Sequence, residues 1–424
     1  MSNIIIRPSK LNGTIKAPPS KSLSHRAIIC ASLCNDGGES VINNVILSDD
    51  IKATIEGMKN LGAEIKLIED GSKTYSVKIR REKGIIKNTY INCRESGSTL
   101  RFLIPLGLVL SEECTFAGSE KLGERPLNIY YKIFEEQKIK YKTTDGVLPL
   151  SVSGTLLGGN YEVSGNISSQ FISGLLFALP LIHNNSTIKI TDIMESKGYV
   201  DLTLDILSKF NVYIENQDYT EFQIQGNSQY KSTNYTVEGD LSQAAFFLVA
   251  HEIGNDLKCI GINNDTKQGD KEILNIIERY KSIEKDNLEE FIIDASQIPD
   301  LVPILTVLAA LKDGITTRII NAERLRIKES DRLKAISCEM NKLGANITEL
   351  HDGLLIKGLG NLKGNATVNS WNDHRIAMSL AIAATKCEKE IILENYTAVN
   401  KSYPLFWNDY KSLGGVIDEL NVGK

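Results

Sequence analysis

The chain has 424 residues, 42% of them apolar, and its 53 acidic and 48 basic side chains give a formal net charge of −5. This length is too great for one compact core and predicts two domains, and the apolar content is sufficient to fill both. The mildly acidic balance argues against a nucleic-acid surface and favours small anionic partners bound by local basic clusters.

The cysteines and the N-terminal residues bear on the compartment. Seven scattered cysteines form no CxxC pair, which predicts reduced thiols in the core of a cytoplasmic protein and no metal site. The opening residues, MSNIIIRPSK, lack the apolar segment of a signal peptide, and the longest apolar run, residues 301–311, is too short to cross a bilayer. We therefore expect neither export nor membrane insertion.

Helix starts of one kind recur along the whole chain. Each has a polar residue followed by a helix that is apolar on nearly every side, and such a helix belongs inside a domain. In chain order these starts lie at Ser20, Ser96, Ser168, Asp240, Ile298 and Asn372.

Helix starts of a second kind alternate with the first. Their apolar residues keep the three-or-four spacing of one helical face, so these helices should lie outside, against the buried ones. They begin near residues 51, 127, 200, 273, 333 and 406. Three of them are predicted to run directly into short strands, over residues 61–65, 210–214 and 343–347.

The spacing of both kinds predicts a repeated unit. Successive starts of one kind are about 60 to 75 residues apart, which gives six units of two helices plus strands, three in each domain. Alternating segments supply the strands, and TVEGD at residues 236–240 marks a boundary between domains. The strand segments are TYSVKIR, YEVSG, STIKITDI, FQIQG and ATVNS.

The richest polar residues lie at these helix starts. In PPSKSLSHR, Ser20 can cap a helix whose first two turns carry Lys21, Ser22 and Arg26. Free N–H groups, the helix dipole and nearby cations together favour a phosphate or carboxylate. Basic residues in a first turn also oppose the dipole, so an anion should compensate them. If the starts of each domain point one way, two facing domains would enclose a cleft that attracts anions.

Each cluster also has a plain structural interpretation. Ser96, Ser168 and Ser196 can be ordinary helix caps, and LRIKESDR can form solvated charge pairs within a helix. His374 can be a satisfied core histidine. Asp300 opens a helix that carries no nearby cation in the sequence, and it can be a cap. The occurrence of all these residues at corresponding positions of repeated units favours a binding site.

The ordered motifs of the chain resemble those of the 5-enolpyruvylshikimate-3-phosphate synthase family over residues 18–401. The motifs are SKSLSHRA, SGSTLR, GERP, SSQFISGLL, SKGY, IPD, LRIKESDR, NDHRIAM and the region of Lys401. The resemblance implies an α/β fold of two domains, each an inside-out α/β barrel of three βαβαββ units. Residues 1–16 would join 239–424 in one domain, residues 17–238 would form the other, and the active site would lie in the cleft between them.

The implied reaction transfers the enolpyruvyl group of phosphoenolpyruvate to the 5-hydroxyl of shikimate 3-phosphate and releases phosphate. It is an addition followed by an elimination, within the biosynthesis of chorismate and aromatic amino acids. The two substrates bring two phosphates and two carboxylates, which explains many Lys and Arg residues in an acidic protein. The resemblance implies no metal and no cofactor. From charge, cysteines and apolar runs we expect no nucleic-acid or membrane partner and a cytoplasmic location, and we expect a monomer because no long exposed apolar stripe is left once the helices are assigned.

The resemblance also assigns site residues at matching positions. Catalysis would fall to Asp300, Glu329 and Lys21, with Asp300 as base, Glu329 as the main proton shuttle to carbon, and the division of steps left open. The shikimate 3-phosphate set is Lys21, Ser22, Arg26, Ser168, Ser169, Gln170, Ser196, Tyr199, Asp300, Arg324 and Lys328. The phosphoenolpyruvate set is Lys21, Gly97, Arg125, Gln170, Arg332, Arg375 and Lys401.

Three residues depart from the family pattern. Glu95 adds a negative charge near Gly97, Phe102 stands where proline is common, and Arg324 replaces an asparagine and could strengthen a phosphate contact. Gly97 itself lacks the methyl group that tolerant members often have, so we expect glyphosate to inhibit by occupying the phosphoenolpyruvate site. Glu95 and Phe102 leave the degree of inhibition open.

Two alternatives remain at this point. The UDP-N-acetylglucosamine enolpyruvyl transferases resemble the chain in fold and reaction, but they carry a reactive cysteine where this chain has Glu120, and they lack the SSQ and KESDR series. A non-catalytic repeat scaffold could use its helix starts to bind acidic partners. Such a scaffold would have no need of Asp300 and Glu329 beside so many cations.

Overall fold

The structure, a computed structural model, describes residues 2–71, 73–81, 84–144, 146–286 and 290–420. The chain separates into two compact units. The terminal unit combines Met1–Pro18 with Gly239–Lys424, and the central unit is Pro19–Glu238. Each has its own apolar core.

Thirteen α-helices are defined in the described ranges. In chain order they are α1 (Lys21–Leu33), α2 (Asp49–Asn60), α3 (Gly97–Leu110), α4 (Glu120–Gly123), α5 (Asn128–Gln137), α6 (Ser169–Ala178), α7 (Lys197–Lys209), α8 (Leu241–Glu252), α9 (Glu272–Asp286), α10 (Val302–Ala310), α11 (Arg332–Lys342), α12 (His374–Ala384) and α13 (Phe406–Ser412). Three short 3₁₀ turns also matter for the site, at Pro299–Leu301, Glu323–Ile327 and Tyr396–Lys401.

The strands, again within the described ranges, number twenty-two. They are β1 (Asn3–Arg7), β2 (Asn12–Lys16), β3 (Ser40–Val45), β4 (Ala63–Glu69), β5 (Tyr75–Arg81), β6 (Ile86–Asn92), β7 (Ser111–Ala117), β8 (Lys140–Thr144), β9 (Val147–Ser153), β10 (Asn160–Val163), β11 (Ser186–Ile190), β12 (Ile214–Gln217), β13 (Glu221–Ile224), β14 (Asn234–Thr236), β15 (Asp256–Ile260), β16 (Glu290–Asp294), β17 (Thr316–Ile320), β18 (Asn346–Glu349), β19 (Leu354–Lys357), β20 (Thr367–Asn369), β21 (Ile391–Glu394) and β22 (Val416–Leu420).

Five four-stranded sheets share one arrangement, in which a parallel pair is followed by two antiparallel strands. In the sheet β10-β11-β13-β12, for example, Ile188 of β11 pairs with Tyr161 in parallel and with Phe222 in antiparallel register. The other four-stranded sheets have the orders β14-β3-β5-β4, β6-β7-β9-β8, β16-β17-β19-β18 and β20-β21-β1-β22. The predicted α/β fold of repeated units is confirmed.

One sheet is smaller than the repeat implies. It consists of the parallel pair β2 and β15, with Gly13 opposite Leu257. The chain that follows α9 continues as β16, which pairs with β17 of the next sheet. Among the described residues, the unit that contains β2 and β15 therefore keeps its parallel strands and lacks the antiparallel hairpin of the other five units.

The two predicted kinds of helix are both present. The first kind, which is buried nearly throughout, comprises α1, α3, α6, α8, α10 and α12. In α10 every residue from Val302 to Ala310 is buried, so no face of that helix contacts water. The amphipathic kind comprises α2, α5, α7, α9, α11 and α13, each of which has one buried face.

The strands predicted directly after three amphipathic helices begin later than expected. Leu61, Phe210 and Leu343 are the C-caps of α2, α7 and α11, and their side chains fill the core from a turn. The next residue adopts a positive φ in each case, as at Asn211 with φ 66°. This left-handed residue ends the helix. The strands β4, β12 and β18 therefore start two to four residues after each cap.

The cysteine prediction is right for most positions and wrong for one. All seven cysteines are free thiols, and five are buried. Cys259 is half-buried, and Cys338 is exposed because it lies on the outer face of α11. Across the described ranges, no helix has both the length and the apolar character needed to cross a membrane.

Candidate active site

Lys21 begins α1 in the central unit, directly after the cap Ser20. The Ser20 Oγ accepts from the backbone N–H of Leu23 at 3.4 Å, as the sequence predicts. The Lys21 Nζ donates to Asp50 Oδ2 at 2.7 Å, and both side chains are mostly shielded from water. Asp50 is therefore an anion that compensates a cation in the first turn of a helix, where the dipole disfavours positive charge.

Arg26 lies one turn further along α1 and is held on three sides. Its Nε donates to Thr203 Oγ1 at 2.8 Å, its Nη1 to the Ser22 carbonyl at 2.8 Å, and its Nη2 to the Tyr199 carbonyl at 2.9 Å. Burial lowers its pKa to about 10, which still leaves it charged at neutral pH. Ser22 and Tyr199 thus contact Arg26 through their main chains.

Phe102 supports this arrangement. Its ring lies 5.2 Å from the Arg26 guanidinium carbon and packs edge-on against Phe177 at 5.4 Å. The helix α3 is intact on either side of it, with Ser96 capping through its Oγ. The departure at Phe102 therefore gives the arginine an aromatic surface to pack on.

Gly97, Arg125 and Gln170 come together at the starts of α3 and α6. A Cβ atom on Gly97 would lie 2.7 Å from Arg125 Nη1 and 3.6 Å from Gln170 Oε1. Gln170 accepts from Arg101 Nη1 at 2.8 Å and donates to Ser98 Oγ at 2.9 Å. Arg101 therefore orients the amide of Gln170, with its oxygen on the arginine side.

The predicted serines differ in their structural roles. Ser168 caps α6, because its Oγ accepts from the Gln170 N–H at 3.3 Å. Ser169 follows it as the first residue of α6 and is buried. Ser196 precedes α7 with a positive φ of 55° and makes no side-chain cap hydrogen bond. The cap interpretation therefore holds for Ser168 and is wrong for Ser196.

In the terminal unit, Arg332 bonds to a different carboxylate through each of its three nitrogens. Its Nε donates to Asp373 Oδ2 at 2.8 Å, its Nη1 to Asp300 Oδ1 at 2.9 Å, and its Nη2 to Glu329 Oε2 at 2.7 Å. Burial would lower the pKa of Arg332, but Asp373, Glu329 and Asp300 together raise it well above its usual range. Arg332 is therefore a permanent cation shared by three anions.

Arg375 is a second cation on Asp300. Its Nη2 donates to Asp300 Oδ2 at 2.7 Å and to Ser242 Oγ at 3.0 Å. Burial acts to raise the pKa of Asp300, but Arg375, Arg332 and Lys328 overcome it and hold that pKa well below its usual range. Asp300 has no cation near it in the sequence, but the fold brings two arginines into contact with it. Asp300 is not a helix cap.

Arg324 lies in the turn Glu323–Ile327, and Lys328 directly follows that turn. Burial lowers the pKa of Lys328 to about 7, and the charge of Arg324 acts in the same direction. Arg324 donates through Nη2 to the Ser296 carbonyl. Arg326, from the same motif, pairs with Asp331 and Glu349. The predicted charge pairing is present for that residue, but its partners are the cap of α11 and a residue of β18 rather than members of one helix.

Lys401 and His374 complete the predicted residues of this unit. Lys401 ends the turn Tyr396–Lys401 and donates from Nζ to the Asn372 carbonyl. His374 begins α12 and is buried at 2% exposure. The Asn372–Lys401 contact fixes the lysine near the start of the helix that carries Arg375.

Several residues of the site escaped the sequence analysis. Asp50, Thr203 and Ser242 are ordinary helix residues, and only the cations that they hold reveal them. Asp50 had an indirect signal, since basic residues at a helix start need a compensating anion. Asp373 lies inside the NDHR motif, but its neighbours His374 and Arg375 carry the more distinctive sequence signal.

The helix starts of each unit thus carry buried arginines beside polar side chains, and the terminal unit adds two partly exposed carboxylates. These features define an α/β protein of repeated units that binds small anions and carries groups able to move protons. The family model of EPSP synthase (3-phosphoshikimate 1-carboxyvinyltransferase) matches residues 5–410. The chain belongs to this family.

Individual relatives agree with that membership. The 3-phosphoshikimate 1-carboxyvinyltransferase of Clostridium novyi (strain NT) is 54% identical over 439 residues, covering 100% of both chains. The one from Clostridium perfringens (strain 13 / Type A) is 54% identical over 433 residues, covering 99% of this chain and 100% of the relative. A solved EPSP synthase structure from Acinetobacter baumannii has a TM-score of 0.78 at 22% identity, over 99% of this chain and 100% of its own.

Proposed function

We propose that this protein is a 3-phosphoshikimate 1-carboxyvinyltransferase (EC 2.5.1.19). It transfers the enolpyruvyl group of phosphoenolpyruvate to the 5-hydroxyl of shikimate 3-phosphate, a step of the shikimate pathway that leads to aromatic amino acids. Family membership over nearly the whole chain supports the reaction. The observation that carries the proposed site is the buried cluster in which Arg332 and Arg375 hold Asp300.

The two substrates are bound by the cations and helix starts that match the family motifs. Shikimate 3-phosphate contacts Lys21, Ser22, Arg26, Ser168, Ser169, Gln170, Ser196, Tyr199, Asp300, Arg324 and Lys328. Phosphoenolpyruvate contacts Lys21, Gly97, Arg125, Gln170, Arg332, Arg375 and Lys401. The rigidity of Arg26, with three hydrogen bonds to the protein, supports its role as a preformed anion ligand.

The chemistry requires two proton transfers in the addition and one in the elimination. In the addition, a base removes the 5-hydroxyl proton while an acid protonates the methylene carbon, and the hydroxyl oxygen bonds to C2. In the elimination, the new methyl group loses a proton and the phosphate leaves with its electron pair. Asp300 acts as the base towards the hydroxyl and Glu329 as the shuttle to carbon, with Lys21 stabilising the phosphate.

Asp300 cannot act as a strong base while two guanidinium groups hold it. Its oxygens accept from N–H groups of Arg332 and Arg375, two residues of the phosphoenolpyruvate set, and we assign these two to the carboxylate of that substrate. The substrate carboxylate therefore replaces Asp300 on these nitrogens, and the pKa of Asp300 rises towards its usual range. Substrate binding and activation of the base are in this way the same event.

Phosphate release distinguishes this function from its rivals. Purified protein with phosphoenolpyruvate should release phosphate when shikimate 3-phosphate is added, and none with UDP-N-acetylglucosamine. Release with the nucleotide sugar alone would assign the chain to the other enolpyruvyl transferase. Release with neither acceptor would contradict the proposed activity.

The oligomeric state, the compartment and the need for cofactors also form part of the proposed function. We expect a monomer in the cytoplasm that needs no metal or cofactor for the transfer. The fixed cations around Asp300 and at the starts of α1 and α3 supply the positive charge that two phosphates and two carboxylates require. Sedimentation analysis of the purified protein tests the monomer directly.

A further inference from the structure

Asp373 is a buried carboxylate with two separate structural functions. It lies at the N-cap of α12 and has no exposed surface. Its Oδ1 accepts from the backbone N–H of Arg375 at 2.9 Å, which caps the helix. Its Oδ2 accepts from Arg332 Nε at 2.8 Å and from Ser330 Oγ at 3.2 Å. Both oxygens are therefore fixed by the protein itself.

Arg332 presents its three bonding nitrogens to very different surroundings. The side chains of Asp300 and Glu329, at Nη1 and Nη2, are 23% and 19% exposed, whereas Asp373 at Nε is 0% exposed. A carboxylate arriving from solution can therefore compete for Nη1 and Nη2. It cannot reach Nε, which points into the protein towards the cap of α12.

The planar geometry of guanidinium makes the Nε bond decisive. All five N–H groups lie in one plane and point in fixed directions, so a bond at Nε sets the direction of the other two nitrogens. A pair of parallel bonds to a carboxylate needs that fork held in place. If Nε were unanchored, Arg332 would follow Asp300 or Glu329 whenever either moved.

We propose that Asp373 is the positioning residue that holds Arg332 while phosphoenolpyruvate replaces Asp300 and Glu329 on its terminal nitrogens. The inference rests on the proposed function, in which Arg332 binds the substrate carboxylate. Asp373 touches neither substrate and acts only through Arg332. Its negative charge also stays with the buried guanidinium when the other two carboxylates leave.

The substitution Asp373→Asn tests this directly. Asparagine keeps the size and the cap oxygen, but it removes the charge and can place an amide N–H against the Nε–H of Arg332. We expect the KM for phosphoenolpyruvate to rise at least tenfold, while the KM for shikimate 3-phosphate changes less than threefold. Asp373→Ser keeps an oxygen that can cap the helix, but its side chain is too short to reach Nε of Arg332. We expect the same rise in the KM for phosphoenolpyruvate.

Asp331 provides a matched control in the same unit. It caps α11 through Oδ1, which accepts from the Lys334 N–H at 3.1 Å, and its Oδ2 pairs with Arg326 Nη1 at 2.9 Å. Asp331→Asn therefore also removes a charged cap and an arginine pair. Its KM for phosphoenolpyruvate should stay within threefold of the unmodified protein, and an equal rise in both variants would overturn the proposal.

A double-mutant cycle shows whether the effect passes through Arg332. Lysine at this position lacks Nε–H, so Asp373→Asn should add less than threefold in an Arg332→Lys background. Fully additive effects, or a uniform fall in activity without the KM split, would show that Asp373 is only a helix cap. An unmodified protein that releases no phosphate would refute the proposed function, and the positioning role of Asp373 would fall with it.

Discussion

Arg375 holds Asp300 at two points, with Nη2 2.7 Å from the side-chain Oδ2 and Nη1 3.1 Å from the main-chain oxygen. Arg332 holds the other side-chain oxygen at 2.9 Å. The charge of Asp300 is thus fixed before any substrate binds, and its orientation is set by two helices, α11 and α12. The same contacts make it a weak base until an anion takes its place.

The first prediction concerns the exchange at Asp300. Asp300→Asn removes the base and also a strong competitor for the two arginines. We expect kcat to fall by about 10² to 10⁴-fold, while the KM for phosphoenolpyruvate does not rise. Steady-state phosphate release with each substrate varied in turn measures both quantities.

Asp294→Asn is the control for this variant. Asp294 ends β16 six residues earlier and accepts from the Ser296 N–H at 2.8 Å and from Asn321 at 3.0 Å. Its kinetic constants should stay within threefold of those of the unmodified protein. A kcat for Asp300→Asn as high as that of Asp294→Asn would rule Asp300 out as the base.

The second prediction follows from the lowered pKa of Lys328, which is about 7. Above that pH the lysine is largely neutral, and a bound phosphate should restore its charge. We therefore expect Lys328 to take up a fraction of a proton when shikimate 3-phosphate binds at pH 8, and much less when it binds at pH 6. Calorimetric titrations in buffers of different ionisation enthalpy measure the uptake, and Lys328→Met should abolish it. Equal uptake in both proteins would assign the proton to another group.

The third prediction concerns glyphosate and Gly97. A methyl group there would lie 2.7 Å from Arg125 Nη1, so the end of that flexible side chain must move. Gly97→Ala should raise both the KM for phosphoenolpyruvate and the glyphosate concentration needed for half inhibition, the latter by at least tenfold. Inhibition of the unmodified protein should weaken as phosphoenolpyruvate is raised. Inhibition that is independent of phosphoenolpyruvate would contradict a shared site.

The fourth prediction is a pH dependence of stability at His25. Burial lowers its pKa well below the ordinary value, helped by the charges of Lys21 and Arg26, and its Nδ1 lies 2.7 Å from Thr54 Oγ1. Below pH ~6.5 the unfolded chain gains a proton here that the folded chain does not, so stability falls by up to about 1.4 kcal/mol per pH unit.

Urea unfolding at pH 7.5, 6.5 and 5.5 tests this effect in the unmodified protein and in His25→Gln. The glutamine cannot titrate, so the stability of the unmodified protein relative to the variant should decline as the pH is lowered from 6.5 to 5.5. Between pH 7.5 and 6.5 the difference should change much less, because the unfolded histidine gains only about half a proton there. Parallel changes over the whole range would mean that His25 does not titrate on unfolding.

The sequence predicted the repeated architecture because burial leaves a direct record in composition. A helix such as α10, apolar on every side, has no alternative to the interior, and α11 shows its single buried face in the spacing of its residues. The boundaries after Phe210 and Leu343 were less predictable. An apolar cap residue in a turn and an apolar strand residue carry the same sequence signal.

The chemistry of the candidate site was predictable only in part. Cations at helix starts, such as Lys21 and Arg26, can be recognised from the local sequence, because the helix dipole disfavours them there unless an anion compensates. Their partners cannot, since Lys21 and Asp50 are 29 residues apart, and Arg375 and Asp300 are 75 apart. Which carboxylate meets which arginine is decided by the packing of helices and turns.

The most direct test of the proposed reaction is a proton NMR time course in D₂O with the purified protein, phosphoenolpyruvate and shikimate 3-phosphate. Addition makes a methyl group that includes one solvent deuteron, and elimination removes one of its three hydrogens. We predict that 5-enolpyruvylshikimate 3-phosphate forms with deuterium in its vinyl group, and that Glu329→Gln greatly slows both product formation and exchange. Product whose vinyl group carries no deuterium, or no product at all, would contradict it.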